Sequence, residues 1–149
     1  MLSAVYKHLT FEFKDGGISP KRFIIVHVSG DPEKDDPKHV KLNVVKTTSQ
    51  QGNETYRPSA KGCYNDHRKV FKIDAGESKR FEEDTWVQFD FYEYTLKKLQ
   101  EDYKSQKVSG LGDFEIHLMK ELLGCIKYCT DIPVAHTQLA AESLDKLNS

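Results

Sequence analysis

Several common catalytic motifs are missing from this chain of 149 residues. It contains no Walker phosphate loop, no GxGxxG fingerprint, no HExxH zinc motif and no GxSxG nucleophile elbow. Each motif fixes backbone N–H groups, metal ligands or a nucleophile in one local geometry. Their absence removes the sequence signal for ATPases, dinucleotide-dependent enzymes and common hydrolases, and no metal or cofactor is predicted.

Cysteine is scarce, with Cys63, Cys125 and Cys129 and no CxxC pair. Cys125 and Cys129 are four residues apart and share one face of a predicted helix. A zinc site with a nearby histidine is one interpretation, but buried apolar thiols are the favoured one. Because disulfides are rare in the cytosol, we expect reduced thiols.

An excess of charge of one sign is also missing. The 22 Lys and Arg residues are nearly cancelled by 23 Asp and Glu residues, which leaves a net charge of −1. A nucleic-acid surface must therefore be a local patch. Basic residues do cluster in the middle of the chain, at Lys61, Arg68, Lys69, Lys72, Lys79 and Arg80.

No apolar run approaches the roughly 20 residues that a membrane-spanning helix requires. The opening residues 1–7 lack the apolar core and cleavage site of a signal peptide. With 38% hydrophobic and 30% charged residues, the composition is that of a globular protein. We therefore predict a cytoplasmic protein without membrane association.

The first two thirds of the chain carry strand patterns. Leu9, Phe11 and Phe13 alternate with polar residues, and alternation returns over residues 84–92. The β-branched and aromatic run over 23–28 is typical of a strand buried on both faces. Further strands are predicted at 40–46, 63–64 and 70–73.

The last third has helical spacing. Helices are predicted over Thr95–Tyr103 and Phe114–Cys129, with Asp113 as N-cap of the second and Val108–Gly112 as the linker between them. A weaker helix is predicted over about Gln138–Leu147.

Strands followed by helices predict an α+β fold. The long loops and closely spaced strands favour a small, strongly bent antiparallel β-barrel with C-terminal helices over a sandwich. Residues 1–133 are predicted to form one barrel domain with a terminal helix, and residues 134–149 a C-terminal tail with a weak helix.

The stretch Lys21–Gln50 holds the most specific pattern. Arg22 opens one strand, and the next strand ends in Thr47, Thr48 and Ser49. An antiparallel pair places the start of one strand beside the end of the next. A planar guanidinium beside hydroxyl groups suits a phosphate, so the stretch predicts an anion site.

The order of these parts resembles the PemK/MazF family of toxin endoribonucleases. Residues 21–29 look like the family's arginine strand, and residues 44–49 like its threonine-serine turn. Residues 84–90 are similar to its late strand, and residues 111–129 to its final helix. The resemblance spans roughly Val5–Cys129 and implies an SH3-like barrel.

The same resemblance implies a toxin-antitoxin system. Its activity would be metal-independent cleavage of single-stranded RNA to a 2′,3′-cyclic phosphate and a 5′-OH, by a homodimer silenced by a cognate antitoxin. The reaction needs a base, a cation for the phosphorane and an acid. Arg22 matches the cation, Thr48 (or Thr47) a phosphate donor, and Asp90 an aspartate that some members use.

Further residues are predicted to bind RNA. Tyr56 lies in a long polar loop and suits base stacking, while His67 and Arg68 lie at a turn beside the basic cluster. The RNA-binding set is Thr47, Ser49, Tyr56, Arg57, Lys61, His67 and Arg68. Structural alternatives stay open: a carboxylate partner for Arg22, backbone-bonded hydroxyls in the turn, and a solvent-facing Asp90.

A second function from another class is a non-catalytic barrel that binds nucleic acid, a peptide or a small ligand, because fold does not determine function. The near-neutral charge favours it, as do Phe23 where the family usually has proline and Gln88 where some members have arginine. A weaker third hypothesis is an inhibitor that acts by protein contact.

Overall fold

The computed structural model describes residues 1–49, 63–64 and 70–149 of the chain. These ranges contain seven strands and three α-helices. In chain order the elements are β1 (Ala4–Glu12), β2 (Ile18–Ser29), β3 (Lys41–Thr48), β4 (Cys63–Tyr64), β5 (Val70–Ile73), β6 (Thr85–Thr95), α1 (Leu96–Lys104), β7 (Val108–Asp113), α2 (Ile116–Lys127) and α3 (Val134–Asn148). None of the helices in these ranges is both long and apolar enough to cross a bilayer.

The strands form one sheet in the order β4-β5-β6-β3-β2-β1-β7, and every neighbouring pair is antiparallel. The predicted α+β class is therefore confirmed. The outer strands β4 and β7 do not pair with each other in the described ranges, so the sheet is open there and its closure into a barrel stays a prediction. Register shifts interrupt the pairs β1–β2, β2–β3 and β3–β6, and such bulges bend and twist strands.

Strand β2 is buried on both faces, as the apolar run predicted. Ile24 and Val26 belong to the core that α2 and α3 cover, whereas Phe23 and Ile25 belong to a second core on the opposite face. Each fully buried side chain of this size stabilises the fold by roughly 1.5–3 kcal/mol. Burial on both faces makes β2 the central element of the molecule.

The first core lies between the sheet and the two C-terminal helices. Helix α2 contributes the apolar stripe that its spacing predicted, with Leu118, Met119, Leu122, Leu123 and Ile126 all buried. The second core lies under α1, whose Leu96 and Leu99 pack with Val108. Thr95 caps α1 by accepting a hydrogen bond from the backbone N–H of Lys98 at 3.1 Å.

The predicted linker Val108–Gly112 is wrong, because these residues lie within strand β7 and pair with β1. Two glycines and few apolar residues hid the strand, and its hydrogen bonds come from a partner about a hundred residues earlier in the chain. Glu115, rather than the predicted Asp113, is the N-cap residue of α2.

Helix α3 begins four residues before the predicted start and packs against α2 and β2. Ala140 is fully buried in the first core. The buried His27 ring lies 2.8 Å from the carboxylate of Glu142 on α3. Residues 134–148 therefore share the core of the rest of the chain.

A disulfide joins Cys63 of β4 to Cys125 of α2, with their Cα atoms 5.7 Å apart. The expectation of reduced thiols is therefore wrong for this pair, while Cys129 is free and buried as predicted. The two partners are separated by 62 positions, so only the packing of β4 against α2 brings them together.

Candidate nucleic-acid interface

The predicted meeting of the ends of β2 and β3 occurs at a cavity of about 290 Å³. Arg22 lines it together with Thr47, Thr48 and Ser49. Antiparallel pairing of Phe23 with Lys46 sets this arrangement. The structure thus gathers the arginine and the hydroxyl-bearing turn in one place.

Two of these side chains also hold the fold. The Nη1 of Arg22 donates a hydrogen bond to the backbone carbonyl of Arg80 at 2.6 Å. The buried Thr47 hydroxyl donates to the backbone carbonyl of Arg22 at 3.0 Å. A guanidinium has five N–H donors, so the bond to Arg80 leaves Arg22 able to bind an anion as well.

Arg80 extends this connection to the outer strand β7. Its Nη1 donates to the carbonyl of Leu111 at 2.6 Å and its Nε to that of Asp113 at 3.0 Å. Gly112 has φ +104°, and a Cβ there would lie 2.7 Å from the Arg80 guanidinium carbon. Only glycine allows the guanidinium to lie this close to the backbone.

The Arg22 cavity has walls of opposite charge. Lys7, Lys21 and Arg22 line one part of it, and Glu82 and Glu83 line another. A phosphate is attracted to the first wall, while the second offers carboxylates within the same space. The cavity therefore holds a cation and an acid–base candidate, the combination that phosphodiester chemistry requires.

Asp90 lies in a different place from the other two predicted catalytic residues. Its carboxylate is bonded to the Lys14 ammonium group, and it lines a separate cavity of about 400 Å³. Residues 88–90 of β6 oppose Lys46 alone, because the register shifts between the pairs Val45–Phe91 and Thr47–Val87. Arg22, Thr48 and Asp90 are thus not brought together as one site.

Three lysines connect the two cavities. Lys21 lines the Arg22 cavity, and Lys46 and Lys14 line the Asp90 cavity. Burial lowers the pKa of Lys46, and the positive charges of Lys21 and Lys14 lower it further, against a partial offset from Asp90 and Asp15. Burial also lowers the pKa of Lys21. Like charges held this close favour the binding of an anion between them.

Aromatic rings lie beneath these lysines. The Lys46 ammonium is 5.3 Å from the centre of the Tyr92 ring and 5.6 Å from that of Phe13, and Lys14 is 4.9 Å from Tyr92. Phe13, Tyr92 and the neighbouring Tyr94 line a third cavity of about 480 Å³. All three rings are only partly buried.

These side chains form a continuous surface, here called the basic–aromatic track. It consists of Lys7, Lys21, Arg22, Lys46, Lys14, Phe13, Tyr92 and Tyr94. Sequence reasoning found Arg22 but missed Lys14, Lys21 and Lys46. The available signal was the position of these lysines next to the ends of predicted strands.

Part of the predicted RNA-binding set lies outside the described residues. Tyr56, Arg57, Lys61, His67 and Arg68 fall within the ranges 50–62 and 65–69. They stay predictions, and the track is defined without them.

A buried His–Asp pair beside the track is structural. His8 Nε2 lies 3.0 Å from Asp102, while its Nδ1 accepts a hydrogen bond from the backbone N–H of Thr10 at 3.0 Å. The second bond places the ring proton of neutral His8 on Nε2, so neither nitrogen is left to act as a base. The pair fastens β1 to α1.

The described residues contain no group of three or more His, Cys, Asp or Glu side chains placed to hold a metal ion. Comparison of the chain with protein-family models, with curated proteins and with solved structures gave no match. The resemblance to toxin endoribonucleases therefore depends on the order of sequence patterns alone.

Proposed function

We propose that this protein binds single-stranded RNA along the basic–aromatic track. The observation that carries the proposal is the row Lys21, Lys46 and Lys14, which lie within electrostatic range of one another and over aromatic rings. Phosphates of a strand would bind the ammonium groups, and unpaired bases would stack on exposed ring faces.

The track suits a single strand better than a duplex. Its aromatic rings offer stacking surfaces only to bases that are unpaired, since the bases of a duplex are already stacked on one another. The net charge of −1 supplies no broad positive field for a duplex. A narrow local patch of cations interleaved with rings is the pattern of single-strand binders.

Metal-independent RNA cleavage at the Arg22 cavity is a second candidate function. The observation that favours it is the gathering of Arg22, Thr47 and Thr48 around one space. In this reaction a base takes the proton of the 2′-OH, the 2′-oxygen bonds to phosphorus, and the P–O5′ bond breaks as the 5′-oxygen gains a proton. Because Asp90 lies elsewhere, Glu82 and Glu83 are the carboxylates that this cavity offers for proton transfer.

The remaining parts of the toxin hypothesis belong to this second candidate. The bent open sheet would be a variant of the SH3-like barrel, and the active form would be a homodimer. A cognate antitoxin would silence the protein by covering the track. Toxicity on induction, relieved by co-expression of a neighbouring small open reading frame, is the expected cellular result.

RNA binding is tested by fluorescence anisotropy with a labelled single-stranded RNA in EDTA over a range of salt concentrations. The variant Lys14→Ala/Lys21→Ala/Lys46→Ala is compared with the matched control Lys34→Ala/Lys97→Ala/Lys104→Ala, whose lysines are exposed elsewhere. Each lost phosphate contact lowers the slope of log affinity against log salt by roughly 0.7, so the track variant should lose about 2. Equal affinity in both variants, or equal binding of an acidic peptide, would contradict RNA binding.

Cleavage is tested separately by incubating mixed RNA with the protein in EDTA and mapping the ends. Cyclic-phosphate and 5′-OH ends that disappear in Arg22→Lys and Glu83→Gln, but persist in Asp90→Asn, support the second candidate. RNA that is bound but stays intact removes cleavage and leaves binding in place.

A further inference from the structure

The cavity beside Asp90 has a composition that the lysine row does not explain. It measures about 400 Å³, within the range of small-ligand pockets. Lys14 and Lys46 of the track line part of it, and Phe89, Ile132 and Pro133 give it apolar walls. The track thus adjoins a pocket with a largely apolar interior.

Two side chains of this pocket carry polar atoms that lack partners. Gln88 Oε1 and His136 Nδ1 are buried and have no hydrogen-bond partner in the part of the chain that the structure describes. More than nine in ten buried polar groups in proteins are paired, so two in one pocket call for a ligand.

The His136 ring is held in a defined orientation. It stacks on Phe91 with ring centres 4.5 Å apart and planes inclined by only 7°. The Gln88 side chain follows from the bulged part of β6, opposite Lys46. One pocket therefore combines apolar walls, a fixed ring nitrogen and an amide that offers both a donor and an acceptor.

We propose that this pocket receives one unpaired nucleobase of the bound strand, which Gln88 and His136 contact along its hydrogen-bonding edge. A base is planar, has apolar faces and carries donors and acceptors on its rim, which matches the walls and polar groups of the pocket. The neighbouring phosphate binds Lys46, since Lys14 is already paired with Asp90. This inference rests on the proposed binding of single-stranded RNA.

The test compares a labelled RNA strand with an abasic ribose–phosphate strand of the same length and charge. We expect the RNA to bind roughly tenfold more tightly, the range of base-stacking contributions. His136→Phe keeps a ring against Phe91 without the ring nitrogens, and Gln88→Met keeps the length without the amide. Both variants should lose most of the preference for RNA and retain their affinity for the abasic strand.

His117→Ala, which alters an exposed histidine on α2, is the matched control and should bind as the unaltered protein does. Equal affinity for the two strands, or a preference that survives in His136→Phe and Gln88→Met, overturns the base pocket and leaves strand binding in place. If the unaltered protein binds neither strand, strand binding fails and titration with the four 5′-mononucleotides decides the pocket. NMR shifts confined to residues around His136 and lost in His136→Phe then support it, and their absence overturns it.

Discussion

The guanidinium of Arg22 and the backbone carbonyl of Arg80 are joined by a hydrogen bond of 2.6 Å. Arg80 in turn binds the carbonyls of Leu111 and Asp113 on β7. Two arginines therefore connect the central strand β2, the segment that precedes β6, and the outer strand β7. The residue that the sequence singles out for phosphate chemistry also holds the sheet together.

Substitution of Arg22 should therefore lower stability whether or not RNA is present. Arg22→Ala removes a charge-assisted hydrogen bond to a partly buried carbonyl, and we expect a loss of about 1.5–3 kcal/mol in the free energy of unfolding. Urea denaturation measures it, with Lys7→Ala in the same cavity as the control. An unchanged midpoint for Arg22→Ala would show that the contact with Arg80 contributes no stability.

Asp102 should make the fold sensitive to acid. Burial by itself raises the pKa of Asp102, but hydrogen bonds from His8 and Lys98 outweigh it, and the net pKa is lowered. A carboxyl with a lower pKa in the folded state contributes stability above its ordinary pKa of about 4 and loses it as the pH falls through the folded value. We expect Asp102→Asn to cost about 1–3 kcal/mol at neutral pH.

The cost of Asp102→Asn should shrink below about pH 4, where the carboxyl of the unaltered protein becomes protonated. Chemical denaturation at a series of pH values measures this difference. Asp145→Asn, at an exposed position on α3, is the control. A difference between Asp102→Asn and the unaltered protein that is independent of pH would rule out the carboxylate as its source.

Tyr94 should titrate late. Burial raises its pKa to about 12, and the neighbouring Asp102, Glu12 and Tyr92 add to the effect. Because the folded pKa exceeds the ordinary value of about 10, the neutral phenol contributes stability below pH 10 that is lost as the pH rises towards the folded value. Ultraviolet titration of the phenolates should show a late step that Tyr94→Phe removes and Tyr128→Phe, at an exposed site, retains.

The Cys63–Cys125 disulfide should contribute to stability chiefly by restricting the unfolded chain. For a separation of 62 residues the chain-entropy model gives about 4 kcal/mol. Reductant or Cys63→Ser should lower the melting temperature, whereas reductant should have no further effect on Cys63→Ser. Thiol titration of the denatured, unreduced chain should find only Cys129 reactive, and three reactive thiols would contradict the pairing.

Local patterns were sufficient for much of the fold and for part of the site. Alternation predicted β1 and β6, the continuous apolar run predicted a strand buried on both faces, and helical spacing predicted α1 and α2. The meeting of Arg22 with Thr47, Thr48 and Ser49 followed from antiparallel pairing of consecutive strands. In each case the deciding contacts lie between residues that are close in sequence or on adjacent strands.

The misplaced elements depend on partners that are distant in the chain. Strand β7 takes its hydrogen bonds from β1, and Cys125 takes its partner from β4. Asp90 was expected beside Arg22 because strict alternation was assumed, but a register shift in β6 gives it Lys14 as its partner instead. A shift of this kind changes which side chains share a face, and no local pattern announces it.

The sequence by itself determined the α+β class, the central strand and the pairing that gathers Arg22 with the threonine turn, because periodicity and turn chemistry are local. Only the tertiary structure decided that Lys14, Lys21 and Lys46 converge over Phe13 and Tyr92, that Arg22 also supports Arg80, and that Gln88 and His136 share a pocket. These relationships depend on bulges and on helix packing, which bring together residues whose separation along the chain carries no periodic signal.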